Sequence, residues 1–129
     1  MRPVLAVLVG GVLGTAARLT VDLLLPHGGA AFPLGTFLVN LAGSFLLGML
    51  VSRVWPVAPE WLRAGLGPGL LGSFTTFSAL AVSAVELSAS GAPGTAVLSV
   101  AASVVAGLAA AALGLRLGSR PVPPIGPDE

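Results

Sequence analysis

Charged side chains are absent from three long stretches of this chain, and these gaps set its architecture. Residues 23–52, 64–85 and 87–115 contain no Asp, Glu, Lys or Arg. A helix needs about 20 mostly apolar residues to cross the hydrocarbon core of a bilayer, so each gap is long enough. A fourth span follows if a helix beginning near residue 4 carries Arg18 and Asp22 in its last third. The predicted spans are residues 4–25, 34–53, 62–88 and 95–117.

The scarcity of charge excludes several classes of protein. Only 9% of the 129 residues are charged and 55% are hydrophobic, whereas a soluble domain carries roughly 25% charged residues. A surface in water cannot be covered with so few polar groups. We therefore exclude a soluble enzyme and a nucleic-acid-binding domain with a basic face. The chain has no cysteine, which removes disulfides and thiolate metal ligands.

The apolar runs predict helices. They are continuous, whereas the strands of a membrane barrel alternate apolar and polar residues. Prolines fall between the predicted spans and, with the exception of Pro68, not within them. We predict an all-α membrane protein with one four-helix domain over residues 1–118. A Pro-rich tail over residues 119–129 is predicted to be disordered.

Polar side chains inside the predicted spans are the candidates for function, because lipid gives them no hydrogen-bond partner. Arg18 and Asp22 lie four residues apart and so share a helix face. Asn40, in the second span, carries two N–H donors and an acceptor oxygen. Ser99 and Ser103 share a face of the fourth span. Each has a purely structural alternative, as an ion pair near a helix end or as a hydrogen bond between packed helices.

The segment Gly72–Ser78, with the sequence GSFTTFS, is the most informative part of the chain. Gly, Ser and Thr all compete with a helical backbone, and Gly65, Gly67 and Pro68 loosen the preceding turns. We predict a break in the middle of the third span, with a kinked packing helix as the alternative. Carbonyl and N–H groups freed at such breaks bind ions in membrane transporters.

The order of these motifs resembles that of the Fluc (CrcB) family of fluoride channels. The matching segments are GGVLGTAAR at residues 10–18, Gly35-Thr36 with Asn40 and Gly43-Ser44-Phe45 in the second span, and GLLGSFTTFS at residues 69–78. The resemblance implies a four-helix subunit that works as an antiparallel dimer with two narrow pathways. Toxic fluoride would leave the cytoplasm through them by passive flow.

The resemblance also assigns residues. Those that fall on pathway positions of the family are Asn40, Phe77, Thr76, Ser78, Ser103 and Arg18. It further implies a structural sodium ion on the dimer axis, held by the backbone carbonyls of Gly72 and Thr75. Amide and hydroxyl groups are donors that can replace the water around fluoride, and the edge of an aromatic ring is electropositive.

Two features depart from the family pattern. Leu80 stands where the family has a second phenylalanine, three residues after Phe77. Five arginines lie on one side of the predicted topology: Arg2, Arg53, Arg63, Arg116 and Arg120. Basic residues favour the cytoplasm, so we predict that both termini are cytoplasmic and that the protein lies in the cell membrane. We also predict a related, oppositely oriented partner subunit, with an identical partner as the alternative.

Two other functions stay open at this point. A small multidrug or cation exporter would need a membrane-buried carboxylate and an aromatic cage. A non-conducting assembly subunit would explain the many small residues but not a polar break in midspan. The sequence has no Ser-His-Asp or HExxH arrangement, and we predict that it is not an enzyme. The expected partners are fluoride, the lipid bilayer and a second subunit, with sodium as the expected cofactor and no nucleic acid.

Overall fold

The computed structural model describes residues 1–25 and 31–119. Its elements are α1 (Arg2–Leu24), α2 (Leu34–Met49) with a wider helical turn at Leu50–Val54, α3 (Glu60–Ala64) with a second wide segment at Gly65–Leu71, α4 (Gly72–Phe74), α5 (Phe77–Ala89) and α6 (Pro93–Gly118). The sequence predictions on Arg120 and on most of the tail lie outside the described residues.

Four helical spans are long and apolar enough to cross a membrane. They are Arg2–Leu24, Leu34–Val54, Glu60–Ala89 and Pro93–Gly118. The prediction of an all-α protein with four such spans is confirmed, and every end lies within two residues of its predicted position. Many large apolar side chains of α1 and α6 are exposed on the single subunit, as expected for surfaces that face lipid or another helix. The chain is a multi-pass membrane protein.

The first span packs against the third through glycine. Gly10 of α1 meets the backbone of Gly65, and a methyl group on Gly14 would overlap the carbonyl oxygen of Leu70. We call this contact the first seam. Its partners advance together along the chain, so the two helices run parallel. Without side chains in between, the two backbones approach closely and gain van der Waals contact, which drives helix association in lipid.

The second span packs against the fourth in the same way. A methyl group on Gly48 would overlap the carbonyl oxygen of Ala111, and one on Gly114 would overlap that of Phe45. Gly107 faces Ser44 and Gly118 faces Ser52, so the contacts advance together along the chain and the two helices run parallel. We call this contact the second seam. The subunit is therefore built from two interleaved parallel pairs, first with third and second with fourth.

Two wide helical turns were not predicted from the sequence. The Trp55 N–H donates to the carbonyl oxygen of Leu50, five residues earlier, at 2.9 Å. The Gly72 N–H likewise reaches back to the carbonyl of Gly67. The second wide segment contains Pro68, which has no N–H to donate and so disrupts the regular hydrogen bonds of a helix. Wide turns of this kind often mark functional sites.

Candidate functional site

The third span is interrupted at Thr75 and Thr76, between α4 and α5. Thr75 has φ −75° and ψ 154°, and Thr76 has φ −149° and ψ 115°, so both are extended. The N–H and hydroxyl of Thr75 donate to the carbonyl oxygen of Leu71 at 3.0 and 2.9 Å. The hydroxyl oxygen of Thr76 accepts from the N–H of Ala79 at 3.1 Å, which caps the start of α5.

Asn40 of α2 binds both backbone groups of Thr76. Its Nδ2 donates to the carbonyl oxygen of Thr76 at 2.9 Å, and its Oδ1 accepts from the Thr76 N–H at 2.8 Å. Backbone groups left unpaired within a bilayer are costly. The side-chain amide of the second span therefore supplies the hydrogen bonds that the interrupted third span cannot make for itself.

Two backbone donors are diverted at the interruption. In a continuous α-helix, the Thr76 N–H would bind the Gly72 carbonyl and the Ala79 N–H would bind the Thr75 carbonyl. Here the first donates to Asn40 Oδ1 and the second to Thr76 Oγ1. The carbonyls of Gly72 and Thr75 thus lose their regular helical donors.

An open groove of about 490 Å³ lies beside the interruption. Its walls come from α2, the third span and α6. Apolar residues such as Leu47, Leu71 and Leu80 form part of the wall. The polar residues that line the groove are Asn40, Ser44, Trp55, Thr75, Thr76 and Ser103.

Two residues that line this groove carry a buried hydrogen-bond donor with no partner in the described part of the chain. Ser103 Oγ and Trp55 Nε1 are buried and make no hydrogen bond within the described part of the chain. Ser99, one turn earlier on α6, contrasts with Ser103 because its hydroxyl donates to the Ala96 carbonyl at 2.8 Å. Buried donors are nearly always paired, so the two orphan donors point to a ligand, water or conformational change at the groove.

The structure gathers most of the sequence-predicted site residues at this groove. The lining includes Asn40, Gly72, Thr75, Thr76, Phe77 and Ser103. Ser78 stands next to it, with its hydroxyl oxygen 3.1 Å from that of Thr76. Arg18 is half-buried on α1 and is not among the lining residues.

Phe77 and Leu80 lie very differently, although they are less than one turn apart. The ring of Phe77 is 79% exposed on the single subunit, whereas Leu80 is 4% exposed. Phe77 is therefore available to a neighbouring molecule, and Leu80 is packed within its own subunit.

Trp55 is the groove residue that sequence reasoning missed. Its position after the second span is typical of the tryptophans that anchor helices at the membrane interface. The sequence feature that could have pointed to Trp55 is its N–H group, which needs an acceptor wherever the indole is buried.

These features define a class, namely a multi-pass membrane protein with a polar groove at the interruption of one of its helices. A more particular assignment follows from comparison with known proteins. The family model described as CrcB-like protein, Camphor Resistance (CrcB), matches residues 5–115. The chain belongs to this family.

Curated relatives are similar over most of the chain. The Fluoride-specific ion channel FluC 1 of Symbiobacterium thermophilum is 47% identical over 116 residues, which cover 85% of this chain and 92% of that protein. FluC of Rhodospirillum centenum is 43% identical over 121 residues, covering 91% and 95%. FluC 3 of Streptomyces avermitilis is 43% identical over 116 residues and is longer, so that the match covers 88% of this chain and 56% of that protein.

Proposed function

We propose that this chain is a subunit of a fluoride-selective channel, through which fluoride leaves the cytoplasm by passive flow. The observation that carries the proposal is the groove at the interrupted third span, where amide and hydroxyl donors gather and none of the described lining residues is charged. Membership of a family whose relatives are named fluoride-specific ion channels supports it. The activity is transport, with no covalent chemistry, so the protein is not an enzyme.

The donors in the groove suit a small, strongly hydrated anion. The Asn40 amide has two N–H groups and one of them is bound to Thr76, which leaves the other for a ligand. Thr76, Ser78 and Ser103 supply hydroxyl groups. The exposed ring of Phe77 presents an electropositive edge. Because backbone and hydroxyl dipoles are held in place by the fold, they replace water around the ion without a full positive charge.

Arg18 has a separate role in this proposal. It lies in the last third of α1 and is not among the residues that line the groove. A cation near the end of a span raises the local potential and attracts anions from solution. We assign Arg18 to the approach of fluoride rather than to its binding in the groove.

The proposal includes a structural sodium ion held by the carbonyls of Gly72 and Thr75. The residues fit such an ion, because the N–H groups that these carbonyls would bind in a regular helix are engaged by Asn40 and Thr76. Carbonyl oxygens are the ligands that hard cations prefer. When bound, the ion would supply positive potential in a region that has no charged side chain.

A second subunit of opposite orientation completes the proposal. The groove is open, and Phe77, which lines it, is exposed on the single subunit. Pairing two interruptions across a two-fold axis would cover both from lipid and bring four carbonyls together. Four described arginines belong to the side of the predicted topology that holds the termini and the second loop. They are all exposed: Arg2, Arg53, Arg63 and Arg116. This bias favours cytoplasmic termini in a cell membrane and a related rather than identical partner.

Single cysteines test the orientation, since the natural chain has none. Val57→Cys lies in the second loop, where Val57 is 71% exposed, and Ser90→Cys lies in the turn after α5. We expect a membrane-impermeant maleimide to label Ser90→Cys in intact cells and Val57→Cys only after permeabilisation. Equal labelling of both in intact cells would show insertion in both directions and favour an identical partner.

Fluoride efflux from liposomes tests the function itself. The purified protein, alone and together with a related subunit, is reconstituted into vesicles loaded with potassium fluoride, and a fluoride electrode records efflux after addition of a potassium ionophore. We expect rapid fluoride release and none of chloride. If correctly folded protein releases no fluoride in either preparation, the channel proposal is wrong.

A further inference from the structure

Trp55 stands between two cavities. It lines the groove described above, and it also lines an outer pocket of about 480 Å³ together with Glu60, Arg63, Ala64 and Pro68. Pro68 is the other residue that the two cavities share. Trp55 and Pro68 therefore lie at the boundary between the groove and the outer pocket.

The indole is seated by its neighbours on the chain. The wide turn at Leu50–Val54 ends at Trp55, whose N–H binds the Leu50 carbonyl. Gly67 faces the ring closely, because a Cβ there would lie 3.2 Å from Cζ2 of Trp55. Two unusual helical turns and a glycine thus bring an aromatic ring to the boundary between the two cavities.

Nε1 of Trp55, the polar atom of this ring, has no partner within the described residues. Trp55 Nε1 is buried and forms no hydrogen bond to any described residue. An indole N–H is a donor only, so it can be satisfied only by an acceptor such as an anion, a carbonyl or water. Leaving a buried donor unpaired is unfavourable, and a ring that turned its N–H towards an arriving anion would gain a hydrogen bond to a charged acceptor.

We propose that Trp55 is a fluoride-binding gate at the arginine-rich mouth of the groove. This inference rests on the proposed channel function and adds to it a hydrogen-bond donor for fluoride and a gate at the end of the groove. In the conformation seen here the N–H is covered, and the indole separates the two cavities. Arg63, which binds the Ala58 carbonyl through Nε at 3.0 Å, places a guanidinium group in the outer pocket, which the Glu60 carboxylate also lines. The indole N–H then binds the anion as the ring turns, and the anion passes to the donors of the groove.

Intrinsic fluorescence tests binding without reference to flux. The chain has two tryptophans and no tyrosine, so Trp61→Phe leaves Trp55 as the single reporter and Trp55→Phe leaves Trp61. We expect sodium fluoride to produce a saturable red shift of Trp55 emission in the Trp61→Phe protein. Sodium chloride at equal ionic strength should not do so, and Trp55→Phe protein should not respond. Absence of a fluoride response from Trp55 would overturn the proposal.

Fluoride efflux supplies the second arm. Trp55→Phe keeps most of the ring and removes the donor, and loss of one hydrogen bond to the anion should slow efflux about tenfold. Trp61→Phe, outside the groove, should conduct like the natural protein. If the natural protein and Trp55→Phe conduct equally well, the gate proposal is wrong and the channel proposal stands. If the natural protein does not conduct, the channel proposal fails, and the emission response alone decides whether Trp55 binds fluoride.

Discussion

The two seams differ from the groove in the kind of contact that each contains. In the seams, backbone rests on backbone, with Gly10 and Gly14 on one side and Gly48 and Gly114 on the other. At the groove, a side-chain amide holds an interrupted backbone, and two buried donors have no partner within the described residues. The seams join helices through close van der Waals packing of backbone on backbone. The contacts proposed to bind the ion are polar, and two of the donors there have no partner within the described residues.

This contrast follows from the solvent. Lipid tails are as apolar as leucine, so close van der Waals packing supplies the attraction between helices and glycine makes it possible. A polar group gains nothing from lipid and must be paired or used. Separating the two kinds of contact lets the subunit be rigid along its seams while its ion-facing donors stay available. The variants below test that separation, from the largest expected effect to the smallest.

Gly14→Ala should have the largest effect. The added methyl group would overlap the backbone carbonyl of Leu70, which cannot move without displacing the third span. We expect a loss of about 3 kcal/mol or more of stability, as for severe overpacking. Gly11→Ala is the matched control, because its new methyl group would meet only Ser73 Oγ at 3.4 Å. The yield of monodisperse protein and its thermal unfolding measure the difference, and equal behaviour of the two variants would contradict the first seam.

Asn40→Ala should affect both stability and transport. It leaves the N–H and carbonyl of Thr76 without their partners, at a cost of about 1–3 kcal/mol for each buried group. Fluoride efflux should fall by roughly a hundredfold or more, as expected for a loss of about 3 kcal/mol at the site. Ser88→Ala serves as the control, because Ser88 is exposed and bonds only within its own helix. Normal unfolding temperature in Asn40→Ala would show that Asn40 does not hold the interruption.

Ser103→Ala should affect transport alone. Its hydroxyl has no partner within the described chain, so its removal breaks no observed hydrogen bond. We expect efflux to fall about tenfold, the effect of one lost ligand to the ion, and the unfolding temperature to stay the same. In Ser99→Ala, which removes a hydroxyl satisfied within its own helix, efflux should not change. A similar loss of efflux in both variants would contradict a specific role of the unpaired Ser103 hydroxyl in binding the ion.

Removal of sodium should have the smallest effect. A ligand that binds only the folded protein stabilises it in proportion to the logarithm of its concentration. We expect purified protein to unfold at a lower temperature when sodium is replaced by a large organic cation. The Ser88→Ala protein should show the same dependence, since Ser88 is exposed and bonds only within its own helix. An identical unfolding temperature in both solutions would remove sodium from the proposal.

The spans were predictable from the sequence because each depends only on its own run of apolar residues. The position of the interruption followed from local chemistry too, since Gly72, Thr75 and Thr76 all disfavour a regular helix. The partner of Asn40 could not be predicted. A side-chain amide pairs equally well with many backbone groups, and only the packing of the second span on the third selects Thr76. Trp55 escaped for a similar reason, because its place between two cavities depends on two wide turns that apolar periodicity does not reveal.

The interleaved pairing of the helices has a consequence for biosynthesis. The partner of α1 is not its neighbour in the chain but the span after that, and the same holds for α2 and α6. At roughly 5–20 residues per second, α1 emerges from the ribosome several seconds before Gly65 and Leu70 emerge. The first and second spans must therefore enter the bilayer before the helices that they pack against have emerged. A defect in a seam can be detected by the cell only after the third or fourth span has emerged, when nearly the whole chain has been made.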